Sequence, residues 1–186
     1  MHISTKYLSS SKSAGVCLWL LTVGCGFFRT NYEEVPPDFP AVSELSTSDS
    51  LEFDWTFHTL SGQEKNFSNY KGKIIFLNFW ATWCGPCKAE MPKIQNLYDQ
   101  MKDREVVFLL MSNEKLTTLK HFLSFQDYEL PVCNVSQKTF NQFDVTAIPT
   151  TLIIDRNGFV VFKHTGAAKW DDASCIKFLR ALLEKV

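Results

Sequence analysis

The sequence predicts an α/β domain in which a mixed β-sheet carries helices on both faces. Two observations predict this class. In the first part of the domain, apolar runs of strand length alternate with amphipathic helical patterns, which is typical of parallel strands joined by helices. Near the end, two apolar runs flank Asn157-Gly158, a dipeptide that favours a tight hairpin turn, so an antiparallel pair is expected in the same sheet.

Five patterns predict the strands of this sheet. The first alternates apolar and polar residues, as in a strand with one buried face. The next two are almost continuously apolar, as in central strands that are covered on both faces. The last two form the hairpin. In chain order the predicted strands cover residues 53–57, 74–79, 106–111, 150–154 and 159–162.

Three amphipathic patterns predict the helices. In each, apolar residues recur three and four positions apart and therefore share one face of the helix. These residues are Met91, Ile94, Leu97 and Met101 in the first helix, Leu116, Leu119, Phe122 and Leu123 in the second, and Ile176, Leu179, Leu183 and Val186 in the last.

The overall composition excludes some classes of function. The 186 residues include 19 basic and 20 acidic side chains, which give a formal net charge of −1 at pH 7. Nucleic-acid binding depends on clustered excess positive charge, and the sequence has no glycine-rich phosphate loop. We therefore expect one globular domain that acts as a monomer and binds no nucleic acid.

The chain begins with a pattern typical of a secretory signal over residues 1–24. Polar residues precede an apolar run at 14–24, whose eleven residues suit the hydrophobic region of a signal better than a membrane span. The string LTVGC at 21–25 resembles a bacterial lipoprotein signal, in which the cysteine, here Cys25, is lipidated. Thr22 departs from that signal, which usually has leucine there. A signal without lipid and a cytosolic amphipathic start are the alternatives.

Residues 25–50 predict a flexible tether that leads to a globular domain at 51–186. The stretch 31–50 contains three prolines and five acidic residues and has neither helical nor strand periodicity. Such a tether would hold an exported domain on the periplasmic side of the membrane, near membrane-bound partners. That compartment is oxidising, so a dithiol there needs a continuing source or sink of electrons.

One pair among the six cysteines predicts redox chemistry. Cys84 and Cys87 form a Cys-x-x-Cys motif between a predicted strand and the start of a helix. The positive end of the helix dipole favours a thiolate at Cys84, which would be the accessible nucleophile. Cys87 lies one turn deeper and would attack the mixed disulfide, which releases the substrate.

The two residues between the cysteines tune this pair. These two residues are Gly85 and Pro86. Pro86 has no N–H that could stabilise the Cys84 thiolate, and this favours a reducing pair. A structural disulfide and half of a zinc site are the alternatives. Zinc needs four ligands, and the remaining candidates are scattered along the chain. They are Cys133, Cys175, His121 and His164, of which the two cysteines are interpreted as small buried apolar residues. We expect no metal and no cofactor other than the cysteine pair.

Two motifs carry a resemblance to a known family. The stretch 72–92, GKIIFLNFWATWCGPCKAEMP, and the string TAIPTT at 146–151, followed by LIIDRNG, resemble the membrane-anchored thioredoxin-like proteins of the TlpA/ResA type. The similarity covers about 51–186. It implies a thioredoxin fold with an N-terminal β extension. It also implies thiol exchange with client proteins, often their reduction, as in cytochrome c maturation, with electrons from a membrane donor.

The resemblance also assigns individual residues. Pro149 matches the family's cis-proline beside the cysteines, where the Ile148 backbone would bind an extended client chain. Glu90 matches an acid that helps Cys87 lose its proton, and it stands on the same helical face. Trp83 would flank the reactive thiol and contact clients. The alternatives are a simple turn proline and a solvated glutamate in the first helical turn.

A further comparison with thioredoxins concerns residue 78. Ordinary thioredoxins have a buried aspartate there, whereas this chain has Asn78, as is usual in the TlpA type. Because an asparagine cannot take up a proton at working pH, Glu90 becomes the candidate proton acceptor. Trp80, two residues further on, is expected in the core.

The main hypothesis is a reductase of disulfides in exported proteins. Net oxidation or isomerisation uses the same chemistry, and the reduction potential decides between them. A peroxidase on a related fold would need a threonine three residues before its reactive cysteine, where Ala81 stands. A tethered binding module with a permanent disulfide is the non-enzymatic alternative.

Overall fold

The structure, a computed structural model, describes residues 34–45 and 54–185. In these residues, seven strands form one mixed sheet. The spatial order is β2-β1-β5-β4-β3-β6-β7. The strands are β1 (Thr56–Thr59), β2 (Glu64–Asn66), β3 (Ile74–Phe79), β4 (Val106–Ser112), β5 (Val132–Asn134), β6 (Thr150–Ile154) and β7 (Val160–Thr165). The helices are α1 (Gly85–Met101), α2 (Leu116–Leu123), α3 (Gln137–Gln142) and α4 (Ala173–Glu184).

The central strand β3 makes the sheet mixed. It pairs in parallel with β4, where Ile74 faces Val106, and antiparallel with β6, where Phe79 faces Thr150. All six residues of β3 are buried, as expected for a strand covered on both faces. The predicted bounds of β3 and β6 agree with the structure, and β7 closes the predicted hairpin against β6.

The core consists of two clusters, one on each face of the sheet. Successive residues of a strand point to opposite faces, so Ile74 and Phe76 enter the first cluster while Ile75 and Leu77 enter the second. Helices α1, α2 and α4 contribute buried side chains to the first cluster, and Phe140 of α3 contributes to the second. The predicted α/β architecture with helices on both faces is therefore confirmed.

Three short elements were not predicted. Strands β2 and β5 have three residues each, which is too short for a periodic pattern. Helix α3 is mostly polar, and it begins where the Ser136 side chain accepts a hydrogen bond from the Thr139 N–H. The antiparallel pairing of β1 with β2 and β5 forms the N-terminal β extension that the family resemblance implied.

Part of the predicted tether packs against the domain. We call residues 34–45 the strap. Its apolar side chains Phe39, Val42 and Leu45 contact the first cluster, and the Phe39 ring lies 4.6 Å from the Phe178 ring of α4 and 4.5 Å from that of Phe162. The prediction of a flexible tether is therefore wrong over 34–45. An extended, proline-rich segment that docks through isolated apolar residues has no periodicity to reveal it.

The rest of the N-terminal prediction stays a prediction. The signal at 1–24, Cys25 and the other tether residues, 26–33 and 46–50, lie outside the described residues. Within the described ranges, no helix has both the length and the apolar character that a membrane crossing requires.

Candidate active site

The cysteine pair lies at the junction between the central strand and the first helix. Strand β3 ends at Phe79, a short loop follows, and Cys84 is the residue that caps the start of α1. Cys84 and Cys87 are joined by a disulfide, with an S–S distance of 2.04 Å and Cα atoms 5.3 Å apart. The predicted redox pair is therefore bonded, at the helix start where the sequence predicts it.

Backbone donors at the start of α1 point towards Cys84. The Cys87 N–H donates to Cys84 Sγ at 3.2 Å, and the Lys88 N–H donates to the Cys84 carbonyl at 3.1 Å. Gly85 and Pro86 form the first turn, where Pro86 supplies no N–H. Partial positive charge at this helix end stabilises a thiolate on Cys84 when the disulfide opens.

Both cysteines are buried in the disulfide form. Cys84 is 4% exposed and Cys87 is 1% exposed, so the predicted order of exposure is confirmed. Cys84 is nevertheless less accessible than the sequence suggested, because its sulfur is turned towards Cys87 and lies 3.8 Å from the Ile148 carbonyl oxygen.

The loop before β6 covers the disulfide. The Ile148–Pro149 peptide bond is cis, as the resemblance implied, and Pro149 is buried. The loop is fixed on both sides, since Thr150 Oγ1 donates to the Ala147 carbonyl at 2.7 Å and the Gly166 N–H donates to the Pro149 carbonyl at 2.8 Å. Ile148 is therefore held against the cysteine pair.

The two tryptophans of the active-site loop have opposite environments. Trp83, directly before Cys84, is 72% exposed, whereas Trp80 is 1% exposed and packs in the first cluster, as predicted. An exposed aromatic ring beside a reactive sulfur is the kind of surface that contacts an unfolded or extended protein chain.

A carboxylate that the sequence did not single out holds this loop. Thr82 donates twice to Glu114, from its N–H and from its Oγ1, each at 2.7 Å. Glu114 is itself fixed, because the Asn134 side chain donates to its carbonyl at 2.6 Å and Ser112 Oγ donates to its carboxylate at 3.3 Å. Since Glu114 is 32 residues from Thr82, no local pattern indicates the contact.

Glu90 lies on the inner face of α1, the helix that begins at the cysteine pair, and is completely buried. It has no exposed surface, so the alternative of a solvated first-turn glutamate is wrong. Asn78 Nδ2 donates to Oε1 at 2.9 Å, and Oε2 accepts from Trp170 Nε1 at 2.8 Å and from the Ala168 N–H at 3.2 Å. Asn78 also donates to Thr151 Oγ1 at 2.9 Å.

Burial has the largest effect on the pKa of the Glu90 carboxyl. Burial raises its pKa from the ordinary 4.5 to about 7, although the hydrogen bonds from Trp170, Asn78 and Ala168 each lower it. The negative charge of Glu34 on the strap raises the pKa further. A buried carboxyl with a pKa near 7 can both accept and release a proton at physiological pH.

Three partners of Glu90 were missed because they are distant in sequence. Ala168 and Trp170 are 78 and 80 residues from Glu90, and Glu34 is contributed by the strap. The sequence offered a signal only for Asn78, through its place in the strand before the cysteine pair.

The other two cysteines of the described residues are free and buried. Burial raises the pKa of Cys133 and of Cys175 to about 12, so both are neutral thiols. Cys175 belongs to the first cluster and Cys133 to the second, on opposite faces of the sheet. Their predicted role as small apolar core residues is confirmed. In the described ranges, no three His, Cys, Asp or Glu side chains are grouped in a way that could bind a metal ion.

Known proteins are similar to this chain in sequence and in fold. The AhpC/TSA family matches residues 50–163. The thiol-disulfide oxidoreductase ResA of Geobacillus thermodenitrificans (strain NG80-2) is 33% identical over 159 residues, which are 84% of this chain and 88% of that protein. ResA of Bacillus cereus (strain ZK / E33L) is 37% identical over 109 residues, and this match spans 63% of that relative's length and 58% of this chain.

Solved structures give the same result for the fold. A putative thiol:disulfide interchange protein DsbE from Chlorobium tepidum superposes with a TM-score of 0.66 at 26% identity, and the match covers 75% of this chain and 99% of that one. The pneumococcal exposed lipoprotein thioredoxin Etrx1 from Streptococcus pneumoniae strain TIGR4 has a TM-score of 0.59 at 27% identity, over 70% of this chain and 98% of that one.

Proposed function

This chain belongs to the AhpC/TSA family and, within it, to the ResA-type thiol–disulfide oxidoreductases, and from that premise we propose that its Cys84–Cys87 pair reduces disulfides in exported client proteins. One observation carries the proposal. The disulfide lies at the start of α1, beneath the cis Ile148–Pro149 loop and next to exposed Trp83.

The first step of the proposed reaction forms a mixed disulfide. The Cys84 thiolate, stabilised by the helix start, attacks one sulfur of the client disulfide, and the other client sulfur leaves as a thiolate. Trp83 and the Ile148 backbone would bind the client chain on either side of the attacked sulfur, as an added strand is bound.

The second step releases the client. Cys87 loses its proton to the Glu90 carboxylate and attacks Cys84 Sγ, so the Cys84–Cys87 disulfide forms again and the second client sulfur leaves as a thiolate. Two electrons pass from the cysteine pair to the client. Glu90 lies three residues after Cys87, on the same face of α1, and its raised pKa suits a proton acceptor at neutral pH.

The direction of electron flow follows from the reduction potential. Thioredoxin-like pairs lie near −270 mV and a strong oxidant near −120 mV. We propose a potential at the reducing end, because Pro86 removes one donor that would otherwise stabilise the Cys84 thiolate. Equilibration with defined ratios of reduced and oxidised glutathione measures the potential, and a value near −120 mV would identify a net oxidant instead.

The cellular setting is proposed from the N-terminal pattern. Lipidation of Cys25 would anchor the domain on the periplasmic side of a membrane, where a membrane electron donor would reduce the pair again after each turnover. The pneumococcal neighbour, named an exposed lipoprotein, supports an anchored, exported form. Proteins of cytochrome c maturation are the proposed clients, because the motifs of this chain resemble proteins of that pathway.

Substitution of the two cysteines tests the reaction. Cys84→Ser should abolish the reduction of insulin, used as a stand-in client, and Cys87→Ser should accumulate mixed disulfides with clients in cells. The matched control is Cys133→Ala, a buried cysteine that the mechanism does not use, which should keep full activity. Retained activity in Cys84→Ser contradicts the proposal. A disulfide that dithiothreitol cannot open in the folded protein would favour the binding module.

A further inference from the structure

We propose that the strap belongs to the Glu90 site: it fixes the segment 168–170 against the Glu90 carboxyl group and pairs a second acidic side chain, Glu34, with Lys93, one turn after Glu90 in α1. Glu34 and Val35 are then positioning residues, which act on the reaction through Glu90. The inference rests on the proton-accepting role proposed for Glu90.

A backbone hydrogen bond connects the strap to the Glu90 donors. The Lys169 N–H donates to the Val35 carbonyl at 3.0 Å. Lys169 is the middle residue of three, and its neighbours Ala168 and Trp170 are the two that donate to Glu90 Oε2. The strap therefore binds the middle residue of the segment 168–170, and the two outer residues of this segment donate to the Glu90 carboxyl group.

A charged contact connects the strap to the helix that carries Glu90. The Glu34 side chain is only 5% exposed and forms an ion pair with Lys93, one turn after Glu90 in α1. Lys93 Nζ also donates to the Ala89 carbonyl at 3.3 Å, which ties the pair to the helix. The ion pair therefore fixes where the buried Glu34 side chain lies.

The charges around Glu90 come from several elements. Helix α1 contributes Lys93, while Cys87 carries no charge in the disulfide. The strap contributes Glu34, whose charge raises the pKa of Glu90. The strand side contributes the neutral Asn78. Behind Trp170 stands His164, whose ring is 5.7 Å from the indole and whose pKa is lowered by burial, so it is neutral at pH 7. Among these groups, removal of the Glu34 charge should therefore change the pKa of Glu90 most.

The strap is anchored away from this contact. Phe39 stacks on Phe178 and Lys185 Nζ donates to the Val42 carbonyl at 3.3 Å, so the anchors lie on α4 and at the end of the chain. Substitution of Phe39 should release the strap and withdraw Glu34 without touching any Glu90 contact directly. Substitution of Glu34 and substitution of Phe39 therefore disturb the contact between the strap and the Glu90 site in two independent ways.

The titration of Glu90 in the oxidised full-length protein tests the inference. In this form Cys87 cannot titrate, and the Glu90 carboxyl carbon can be followed by NMR. Glu34→Gln keeps the shape of the side chain and removes its charge, so the titration midpoint should move from about 7 to lower pH by about half a unit or more. Phe39→Ala should move it in the same direction.

Asp38→Asn is the matched control, because Asp38 is an exposed acid of the same strap; it should leave the midpoint unchanged. If the titration midpoint of Glu90 in Glu34→Gln equals that of the wild type, the inference is wrong. Glu34→Gln alone decides the test in the case that Phe39→Ala does not fold. A failure of the proposed function would give a different experimental result. If Glu90→Gln leaves the pH profile of client release unchanged, Glu90 takes no part in the reaction, whereas the strap variants would still move its titration.

Discussion

At the scale of single residues, Glu90 shows which of two opposing effects dominates. Three donors reach its carboxylate and each lowers its pKa, yet complete burial raises the pKa to about 7. Desolvation of the charged form therefore outweighs three hydrogen bonds. Sequence reasoning identified Glu90 and Asn78 through the family resemblance, but it could not identify Trp170 or Ala168, because only the folded chain brings them to the carboxyl group.

The hydrogen-bond partners also determine where Glu90 carries its proton. Trp170 Nε1 and the Ala168 N–H can only donate, so Oε2 must stay an acceptor in both protonation states. The proton therefore resides on Oε1, which faces Asn78. Rotation of the Asn78 amide would present its oxygen to that proton and to the Thr151 hydroxyl, which in the structure accepts from Asn78 Nδ2. An asparagine thus serves both states of the acid.

Replacement of Glu90 by glutamine should make the protein more stable at neutral and higher pH. Between the ordinary pKa of 4.5 and the folded value of about 7, the folded state binds more protons than the unfolded state, so the wild type loses stability as pH rises through this window. Glu90→Gln resembles the protonated acid and lacks this loss. At pH 8 it should be more stable than the wild type by up to about 3 kcal/mol.

Urea denaturation of the oxidised proteins at pH 4 and pH 8 measures this difference. The two proteins should have similar free energies of unfolding at pH 4, where Glu90 is protonated in both folded and unfolded wild type. Parallel pH dependence of the two proteins would show that Glu90 has an ordinary pKa. Glu105→Gln is the control. Lys73 and Arg156 lower the pKa of the exposed Glu105 carboxyl, so its effect on the pH dependence of stability has the opposite sign.

At the scale of elements, the accuracy of prediction followed the strength of the local pattern. Strand β3 and helix α1 were predicted closely because a run of five apolar residues among six and a regularly spaced apolar helical face leave few alternatives. Strand β5 is defined by its parallel pairing with β4, and β2 by its pairing with β1. Such short strands exist because a neighbour supplies their hydrogen bonds, and the sequence of the segment alone does not contain that information.

The loop between β3 and α1 depends on a side chain from the β4–α2 connection. Glu114→Ala removes both acceptors of Thr82, so the loop that presents Trp83 and Cys84 should lose its fixed position. We expect a several-fold increase in KM for a client with a smaller change in kcat, and a loss of about 1–3 kcal/mol in stability. Steady-state kinetics and denaturation measure the two effects.

Glu129→Ala is the control for this prediction, because Glu129 is an exposed acid that pairs with Lys102 on the surface. It should change neither KM nor stability appreciably. Glu114→Gln adds a further test, since its amide oxygen can still accept one of the two hydrogen bonds and should restore part of the KM. An unchanged KM in Glu114→Ala would show that Thr82 does not need this carboxylate to hold the loop.

At the scale of the whole molecule, the attachment of the domain gives the remaining prediction. Metabolic labelling with a radioactive fatty acid should mark the full-length protein and should be lost in Cys25→Ser, because Cys25 is the predicted lipid acceptor. Cys17→Ser, in the middle of the apolar run, is the matched control and should keep the label. Wild-type protein without label would leave the signal without lipid as the explanation.

The fold class was predictable because two motifs, far apart in sequence, indicate the same architecture. The strings around Cys84 and Pro149 meet in the structure, where Ile148 O lies 3.8 Å from Cys84 Sγ. The strap was not predictable in this way. Its docking depends on single side chains such as Phe39 that find a site on α4, and no regular spacing accompanies such contacts.

The position of the sheet between two separate cores has a consequence for how this protein can change. Cys84, Cys87 and Trp170 all belong to one core, while the opposite core, around Trp55 and Phe140, contains none of the reacting groups. Substitutions that are well separated in space have nearly additive effects. Substitutions in the second cluster that lie away from Ile148 should therefore change the stability of the domain more than its chemistry.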